Sequence, residues 1–383
     1  MLEDYKLKMP GAVFGGEHAL DKIVELIKNK YKKPAVFTDK GIEAAGILEE
    51  PLGLLKESGA QIHLIDEIPS EPTYEQAQKT IDSFKESGSD FIIAIGGGSV
   101  MDMAKLSSIA ATNDYTVKDL LENPSIGRKT VKTLMIPTTA GTGAEATPNA
   151  IVAVPEKELK VGIVNEEMVP DYVILDGRMT AGLPKKIAAA TGIDALAHAI
   201  ECYTSNKANP FSNMFAMEAL RLIFANIEKA CEDRTALKEK SSMLLAAFYG
   251  GVAITASGTT AVHALSYPLG GKYHIPHGVS NAMMLLPVMK FNKEACMSEL
   301  AQVYDAVEGK EKKNDEEKAD WVIGRMSEII ERLEIPDSLK AYGIGQEDLE
   351  ELTRSGMEVQ RLLVNNKKMV TAQDARNLYM QIM

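Results

Sequence analysis

The chain has 383 residues, of which 45% are hydrophobic and 25% charged, and its 42 basic and 54 acidic side chains give a net charge of −12. This balance argues against nucleic acid or an anionic membrane surface as the main partner, and no apolar run approaches the roughly 20 residues of a membrane span. Three dispersed cysteines (Cys202, Cys231 and Cys296) and an N-terminus without the pattern of a secretory signal predict a cytoplasmic protein with free thiols.

Short β-branched runs alternate with helical segments over residues 1–178. Strands are predicted at 34–39, 60–66, 90–98, 132–139, 150–155 and 172–176. Helices are predicted between them at 43–59, 74–88 and 99–111. This alternation is typical of βαβ units and predicts a mostly parallel sheet. No strand-like run follows residue 178, and Ala, Leu and Met recur at helical spacing from there on. We therefore predict an α/β domain over 1–178 and an all-α domain over 179–383.

Two glycine-rich stretches each follow a predicted strand. "IGGGSVMDMAK" (95–105) opens a helix, whose N-terminal N–H groups suit a pyrophosphate. "IPTTAGTGAEAT" (136–147) adds the hydroxyls of three threonines, Thr138, Thr139 and Thr142. A tight turn without a ligand remains an alternative for the first stretch alone. Both turns together, at the carboxyl ends of parallel strands, predict a nucleotide crevice.

Asp39 ends the first predicted strand of the same sheet. A carboxylate there can bond the ribose hydroxyls of a dinucleotide and repel a 2′-phosphate, which favours NAD over NADP. The alternative is a helix N-cap or turn residue.

Four side chains beyond residue 190 form a candidate metal-ligand set. Asp194 and His198 are four residues apart and project from one helical face, whereas His263 and His277 flank a predicted "YPLGG" turn that folds the second back towards the first. One carboxylate and three imidazoles suit Fe²⁺ or Zn²⁺. Alternatives are a capping arrangement for Asp194 and a core position for His198. His274 competes with His277, which we prefer because "IPHG" restrains its backbone.

Five motifs spread over nearly the whole chain occur in one order: "TD" at 38–39, "GGGSVMDMAK" at 96–105, "PTTAGTGAE" at 137–145, "GIDALAHAIE" at 192–201 and "HALSYPLGGKYHIPHG" at 263–278. Together they resemble the iron-containing (group III) alcohol dehydrogenase family. The resemblance implies a dehydroquinate synthase-like architecture: an N-terminal dinucleotide-binding α/β domain, a C-terminal helical domain and an active site in the cleft between them. It also implies a homodimer or larger homo-oligomer.

The resemblance assigns residues by position. The metal ligands fall on Asp194, His198, His263 and His277. The NAD contacts fall on Asp39, Gly97, Gly98, Ser99, Asp102, Thr138, Thr139, Thr142 and Lys160.

The chain departs from the family pattern at three positions. Many members carry a histidine, thought to help proton transfer, where this chain has Tyr267, a far weaker base with a reference pKa of ~10. The alcohol proton is therefore expected to leave through the cofactor ribose, water or His274, with Tyr267 at most orienting the substrate. Ala144 replaces a common serine and Glu71 replaces the asparagine of "NPT", so no cofactor contact is carried over to either.

The expected function is reversible hydride transfer between NAD(H) and a small primary alcohol or aldehyde at Fe²⁺, with Zn²⁺ possible. Alternatives are a hydroxyacid–oxoacid transhydrogenase and a glycerol dehydrogenase-like or dehydroquinate synthase-like enzyme. The latter families typically use one carboxylate and two histidines, so the fourth ligand favours the iron group. A non-catalytic NAD-binding protein is the remaining alternative, which four retained ligands disfavour.

Overall fold

A computed structural model describes residues 4–111, 114–157, 159–309 and 311–383. The chain divides into two compact units. The sheet unit comprises Lys8–Leu183 and Arg234–Phe248, and the helical unit comprises Pro184–Asp233, Tyr249–Met383 and the described N-terminal residues up to Leu7. The predicted division between residues 178 and 179 stays a prediction.

The strands all belong to the sheet unit. They are β1 (Ala12–Gly15), β2 (Pro34–Phe37), β3 (His63–Ile65), β4 (Phe91–Gly96), β5 (Thr133–Pro137), β6 (Asn149–Val154), β7 (Leu159–Val164) and β8 (Tyr172–Leu175). In the described residues six of them pair in the order β1-β8-β5-β4-β2-β3, and every pairing is parallel. The predicted parallel sheet is confirmed.

The helices fall in both units. In the described residues they are α1 (Lys22–Ile27), α2 (Lys40–Ala44), α3 (Glu49–Glu57), α4 (Tyr74–Ser87), α5 (Gly98–Ala110), α6 (Val117–Glu122), α7 (Lys185–Thr204), α8 (Pro210–Glu232), α9 (Leu237–Ser257), α10 (Ala261–Tyr273), α11 (His277–Asn292), α12 (Met297–Val307), α13 (Asp315–Arg332), α14 (Leu349–Glu358), α15 (Gln360–Leu363) and α16 (Ala372–Met380). The helix predicted over 43–59 is divided between α2 and α3.

The centre of the sheet is apolar on both faces. Every residue of β2, β4 and β5 is buried, as expected for parallel strands covered by helices on either side. The chain runs from β2 outward to β3 and then returns to β4 on the other side of β2. The connections after β2 and β4 therefore leave in opposite directions, which creates a topological switch point where open α/β sheets bind ligands.

Strands β6 and β7 form a separate antiparallel hairpin. The strand predicted at 150–155 is therefore present as β6, but it lies outside the parallel sheet. Burial alternates along β6, as in a strand with one covered face, whereas the central parallel strands are buried throughout. The sequence analysis missed β7, which includes Lys160 and Gly162, and the four-residue edge strand β1.

Three helices of the helical unit carry the candidate metal ligands. Helix α7 is buried on all sides from Gly192 to Thr204, so its polar side chains there need partners inside the protein. The "YPLGG" segment is not a turn, because it continues α10. The chain instead reverses at His274, whose φ of 56° ends α10, and at Pro276, which precedes α11.

Within the described residues, no single helix is both long and apolar enough to cross a membrane, although Leu237–Ser257 and Ala261–Tyr273, bent by 107°, pass that test as a pair.

Candidate active site

Four side chains of the helical unit converge on one point. Helix α7 supplies Asp194 and His198, α10 supplies His263, and α11 supplies His277 from its first residue. One ligand atom of each lies within 4.8 Å of the others. Asp194 Oδ1 is 3.6 Å from Nε2 of His263, 3.6 Å from Nε2 of His277 and 3.8 Å from Nε2 of His198.

These spacings fit a divalent ion. Ligand atoms that each bind a metal at about 2.0–2.2 Å in tetrahedral geometry stand roughly 3.4 Å apart. The observed separations are close to that value and too long for direct hydrogen bonds. One oxygen and three nitrogens are also the donor set expected for Fe²⁺ or Zn²⁺.

The charges around the cluster favour a cation. Burial alone would raise the pKa of the Asp194 carboxyl, but the surrounding His198, His277 and His263 hold it well below its usual range. Burial lowers the pKa of His263, yet Glu201 and Asp194 outweigh that effect and raise it to about 10. Two buried carboxylates thus face the imidazoles and stabilise positive charge.

Two residues at this cluster were missed by the sequence analysis. Nδ2 of Asn281 lies 2.6 Å from Asp194 Oδ1, 3.1 Å from Nε2 of His263 and 3.2 Å from Nε2 of His277. Glu201 Oε2 makes a short contact with Nδ1 of His263. Helical spacing could have indicated both residues. Asn281 is four residues after His277 and Glu201 is seven after Asp194, so each lies on the same helical face as a candidate ligand.

The two predicted catalytic residues lie in different surroundings. The ring of Tyr267 is 6.2 Å from that of His277, and the Arg361 guanidinium donates to its hydroxyl at 3.4 Å. His274 is exposed at the C-cap of α10 and lies outside the four-residue cluster. The structure thus brings His277, rather than His274, to the other three candidate ligands. Both catalytic roles stay predictions.

The two glycine-rich turns are neighbours at the carboxyl edge of the sheet. The N–H of Thr138 donates to the carbonyl of Gly96 at 3.0 Å, which joins the ends of β5 and β4. A Cβ at Gly98 would stand 3.0 Å from a Thr142 methyl, so glycine allows the turns to approach this closely. Gly97 is the N-cap of α5 and packs near Thr139.

Two buried hydroxyls at this edge point to a polar ligand. Among the described residues, Oγ1 of Thr38 and of Thr138 is buried without a hydrogen-bond partner. An unpaired buried polar group costs about 1–3 kcal/mol, and a bound cofactor or water would satisfy it. Thr38 directly follows β2 and Thr138 directly follows β5, the two strands on either side of β4. These positions fit the nucleotide expected at the switch point.

The remaining predicted cofactor residues have protein contacts. Asp39 caps α2 through Oδ1, which accepts from the N–H of Ile42 at 3.0 Å. Asp39 is thus an N-cap residue, as the alternative interpretation expected. This uses only Oδ1, so Oδ2 can still accept a hydrogen bond from a ribose hydroxyl. Asp102 is buried and binds the Lys105 ammonium and the N–H of Ile151, each at 2.9 Å.

Ser99 and Lys160 both contact Glu71. The Ser99 hydroxyl accepts from the N–H of Glu71 at 3.1 Å, and the Lys160 ammonium lies 2.6 Å from the Glu71 carboxylate. Glu71 replaces the family's asparagine and so forms an ion pair with a predicted cofactor contact.

The chain belongs to the iron-containing alcohol dehydrogenase family. Residues 10–177 match the family "Iron-containing alcohol dehydrogenase", and residues 188–383 match "Fe-containing alcohol dehydrogenase family, C-terminal". The resemblance inferred from the five motifs is confirmed. The chain is therefore an NAD-dependent, metal-dependent oxidoreductase of the iron-containing type.

Relatives and solved structures agree with this membership. The chain is 31% identical to long-chain-alcohol dehydrogenase 1 of Geobacillus thermodenitrificans, over 95% of this chain and 93% of the relative. It is 28% identical to NAD-dependent methanol dehydrogenase of Bacillus methanolicus, over 95% and 96%. A crystal structure of 1,3-propanediol oxidoreductase superposes over 100% of both chains with a TM-score of 0.92 and 27% identity. The alcohol dehydrogenase from Oenococcus oeni covers 99% of this chain and 100% of its own, with a TM-score of 0.91 and 28% identity.

Proposed function

We propose that this chain interconverts a small primary alcohol and its aldehyde, with Asp194, His198, His263 and His277 holding Fe²⁺, or Zn²⁺ in its place. The observation that carries the proposal is the convergence of these four ligand atoms within 4.8 Å. A divalent ion at this cluster supplies a Lewis acid that lowers the pKa of an alcohol oxygen. Nδ2 of Asn281 donates to Asp194 Oδ1 and packs against Nε2 of His263 and of His277, so this amide supports the ligand cluster.

The sheet unit is proposed to hold NAD at the switch point. The "GGGS" turn and the N-terminus of α5 would bind the pyrophosphate, as Gly97, Gly98 and Ser99 lie there. Thr138, Thr139 and Thr142 would supply hydroxyl contacts from the neighbouring turn. Asp39 would accept hydrogen bonds from the adenosine ribose. Fixing the dinucleotide in this way supplies much of the acceleration of hydride transfer.

The test is NADH consumption by protein stripped of metal and then reloaded anaerobically with Fe²⁺ or Zn²⁺. Relatives named for methanol, butanol and 4-hydroxybutyrate define the panel, which comprises short aldehydes, hydroxyaldehydes and oxo acids. Turnover restored by a metal on an aldehyde supports the proposal. Turnover confined to coupled hydroxy acid and oxo acid pairs would replace it with transhydrogenation.

We also propose a cytoplasmic homo-oligomer. The three cysteines are buried and form no disulfide in the described residues, and burial raises the pKa of Cys202 and of Cys296 to about 12. Such thiols are suited to a reducing compartment. Light scattering on the purified protein tests the oligomer, and a monomeric mass at working concentration would contradict it.

Replacing Tyr267 by phenylalanine is expected to change kcat by less than about threefold. The hydroxyl accepts a hydrogen bond from Arg361 at 3.4 Å, so its removal costs one partly exposed contact and leaves the ring beside His277 in place. Steady-state kinetics from pH 6 to 10 provides the measurement. Tyr273→Phe, which removes a hydroxyl from the same helix, is the control. A loss of ~100-fold or more confined to the Tyr267 variant would instead assign its hydroxyl to proton transfer.

Replacing Glu71 by asparagine is expected to tighten the binding of both NADH and NADPH by roughly two- to fivefold. The change releases Lys160 from an ion pair of the strength usual at partly exposed sites, ~0.2–1 kcal/mol. Glu71 adjoins Ser99 in the turn proposed to bind the pyrophosphate, which both cofactors contain, so the freed charge would act on both. Asparagine also tolerates the φ of 54° that Glu71 adopts. Binding and kcat/KM for both cofactors provide the measurement. Glu75→Asn, an exposed site on α4, is the control, and unchanged affinity for both cofactors would contradict the expectation.

A further inference from the structure

Glu201 connects a metal-ligand helix to the start of another. It is fully buried on α7, one turn after His198. Its Oε1 accepts from the N–H groups of Thr260 at 3.0 Å and Val262 at 2.8 Å, and from the Thr260 hydroxyl at 2.7 Å. Its Oε2 contacts Nδ1 of His263.

The first of these contacts caps helix α10. Thr260, the N-cap residue, makes no side-chain capping bond of its own, so the first N–H groups of α10 are satisfied by a carboxylate from another helix. A negative charge at a helix N-terminus is stabilising, and the N–H donors compensate for its burial. Glu201 therefore fixes where α10 begins, two residues before His263.

The second contact determines which ring nitrogen of His263 carries a proton. An ionised carboxylate only accepts hydrogen bonds, so Nδ1 facing Glu201 must be the protonated nitrogen. Nε2 is then the nitrogen that would exchange its proton for a metal ion. Nε2 is also the atom that lies 3.6 Å from Asp194 Oδ1 within the ligand cluster.

We propose that Glu201 is a positioning residue of the metal site, which sets both the tautomer of His263 and the start of α10. The proposal rests on metal binding by the four-residue cluster. It goes beyond that assignment because it places control of one ligand in a residue that does not itself reach the metal.

Glu201→Gln separates the two roles. Its amide oxygen can still accept from the N–H groups of α10, and those donors disfavour the reverse orientation, in which the NH₂ group would face them. The NH₂ group then faces Nδ1 and forces it to accept, which moves the imidazole proton to Nε2. We expect the dissociation constant for Zn²⁺ or Co²⁺, measured by chelator competition, to rise 10- to 100-fold.

Thr260→Val is the matched control, because it removes one hydrogen bond to the same carboxylate without altering the tautomer. Its metal affinity is expected to stay within about threefold of the wild type. Glu201→Asp, which restores a carboxylate, should bind metal more tightly than Glu201→Gln. Wild-type affinity and a wild-type Co²⁺ absorption spectrum in Glu201→Gln would overturn the proposal, as would equal losses in Thr260→Val and Glu201→Gln.

A measurement on the wild type does not depend on any variant folding. In Zn²⁺-loaded protein labelled with ¹⁵N-histidine, His263 must show a protonated Nδ1 and a metal-bound Nε2. Metal bound through Nδ1 would overturn the proposal. Wild-type protein that binds no metal would instead refute the proposed function, so the two failures are distinguishable.

Discussion

Replacing Asp194 by alanine is expected to abolish metal retention and, with it, alcohol oxidation. Its carboxylate is the negatively charged member of the ligand set and also accepts from the Asn281 amide at 2.6 Å. Without it, three imidazoles and an amide face one another with no carboxylate among the ligand atoms, and Glu201 contacts only the far nitrogen of His263. Loss of an outer-shell partner alone weakens metal binding ~10- to 100-fold, so loss of this ligand should exceed 100-fold.

Metal content after gel filtration and NADH turnover after reloading provide the measurement for Asp194→Ala. Asp194→Asn keeps the shape and removes the charge, and we expect it to lose metal nearly as fully. Thr191→Ala is the control on the same helix, because that hydroxyl bonds back to the carbonyl of Ile187. A metal-replete and fully active Asp194→Ala protein would refute the ligand assignment.

Replacing Gly278 by alanine is expected to destabilise the protein and disturb the same site from the backbone. An added Cβ would stand 2.2 Å from the carbonyl oxygen of Ala190 and 2.6 Å from its carbonyl carbon. These atoms belong to the backbone of α7 and cannot rotate away, so the start of α11 must shift. Overpacking of this kind typically costs about 1–3 kcal/mol. His277, the preceding residue, would move with the backbone and leave the cluster.

Thermal unfolding of the metal-free protein measures the stability loss for Gly278→Ala, and chelator competition measures the metal affinity. Gly324→Ala is the matched control, because a Cβ there meets nothing within 4 Å on the exposed side of α13. Helix propensity favours that change by about 0.5–1 kcal/mol. Equal stability of Gly278→Ala and the wild type would show that the close approach of α11 to α7 is absent in solution.

Local patterns determined much of the fold. Short apolar runs with β-branched residues marked β2, β4, β5 and β8, because the strands of a covered parallel sheet are largely buried. Helical spacing placed Asp194 and His198 on one face, since residues four apart on a helix are neighbours whatever surrounds them. The order of the five motifs then identified the family, which the matches to both halves of the chain confirm.

Only the tertiary structure decided the features that depend on contacts between residues far apart in the sequence. The β6–β7 hairpin leaves the main sheet because its strands pair with each other. Residues 234–248 belong to the sheet unit although α9 continues into the helical one. The reversal before His277 occurs at His274 and Pro276, because "YPLGG" is held inside α10.

Tertiary structure also decided which residues support the four candidate ligands. The sequence predicted the ligands themselves, but not the residues that contact them. Glu201 and Asn281 stood at helical spacing from the ligands, yet spacing does not say which face of a helix meets which neighbour. Glu201 meets Thr260 and His263 only because α7 packs beside the start of α10, some 60 residues later. Burial made those contacts necessary, since a buried carboxylate must be paired, and the packing of the helices determined the partner.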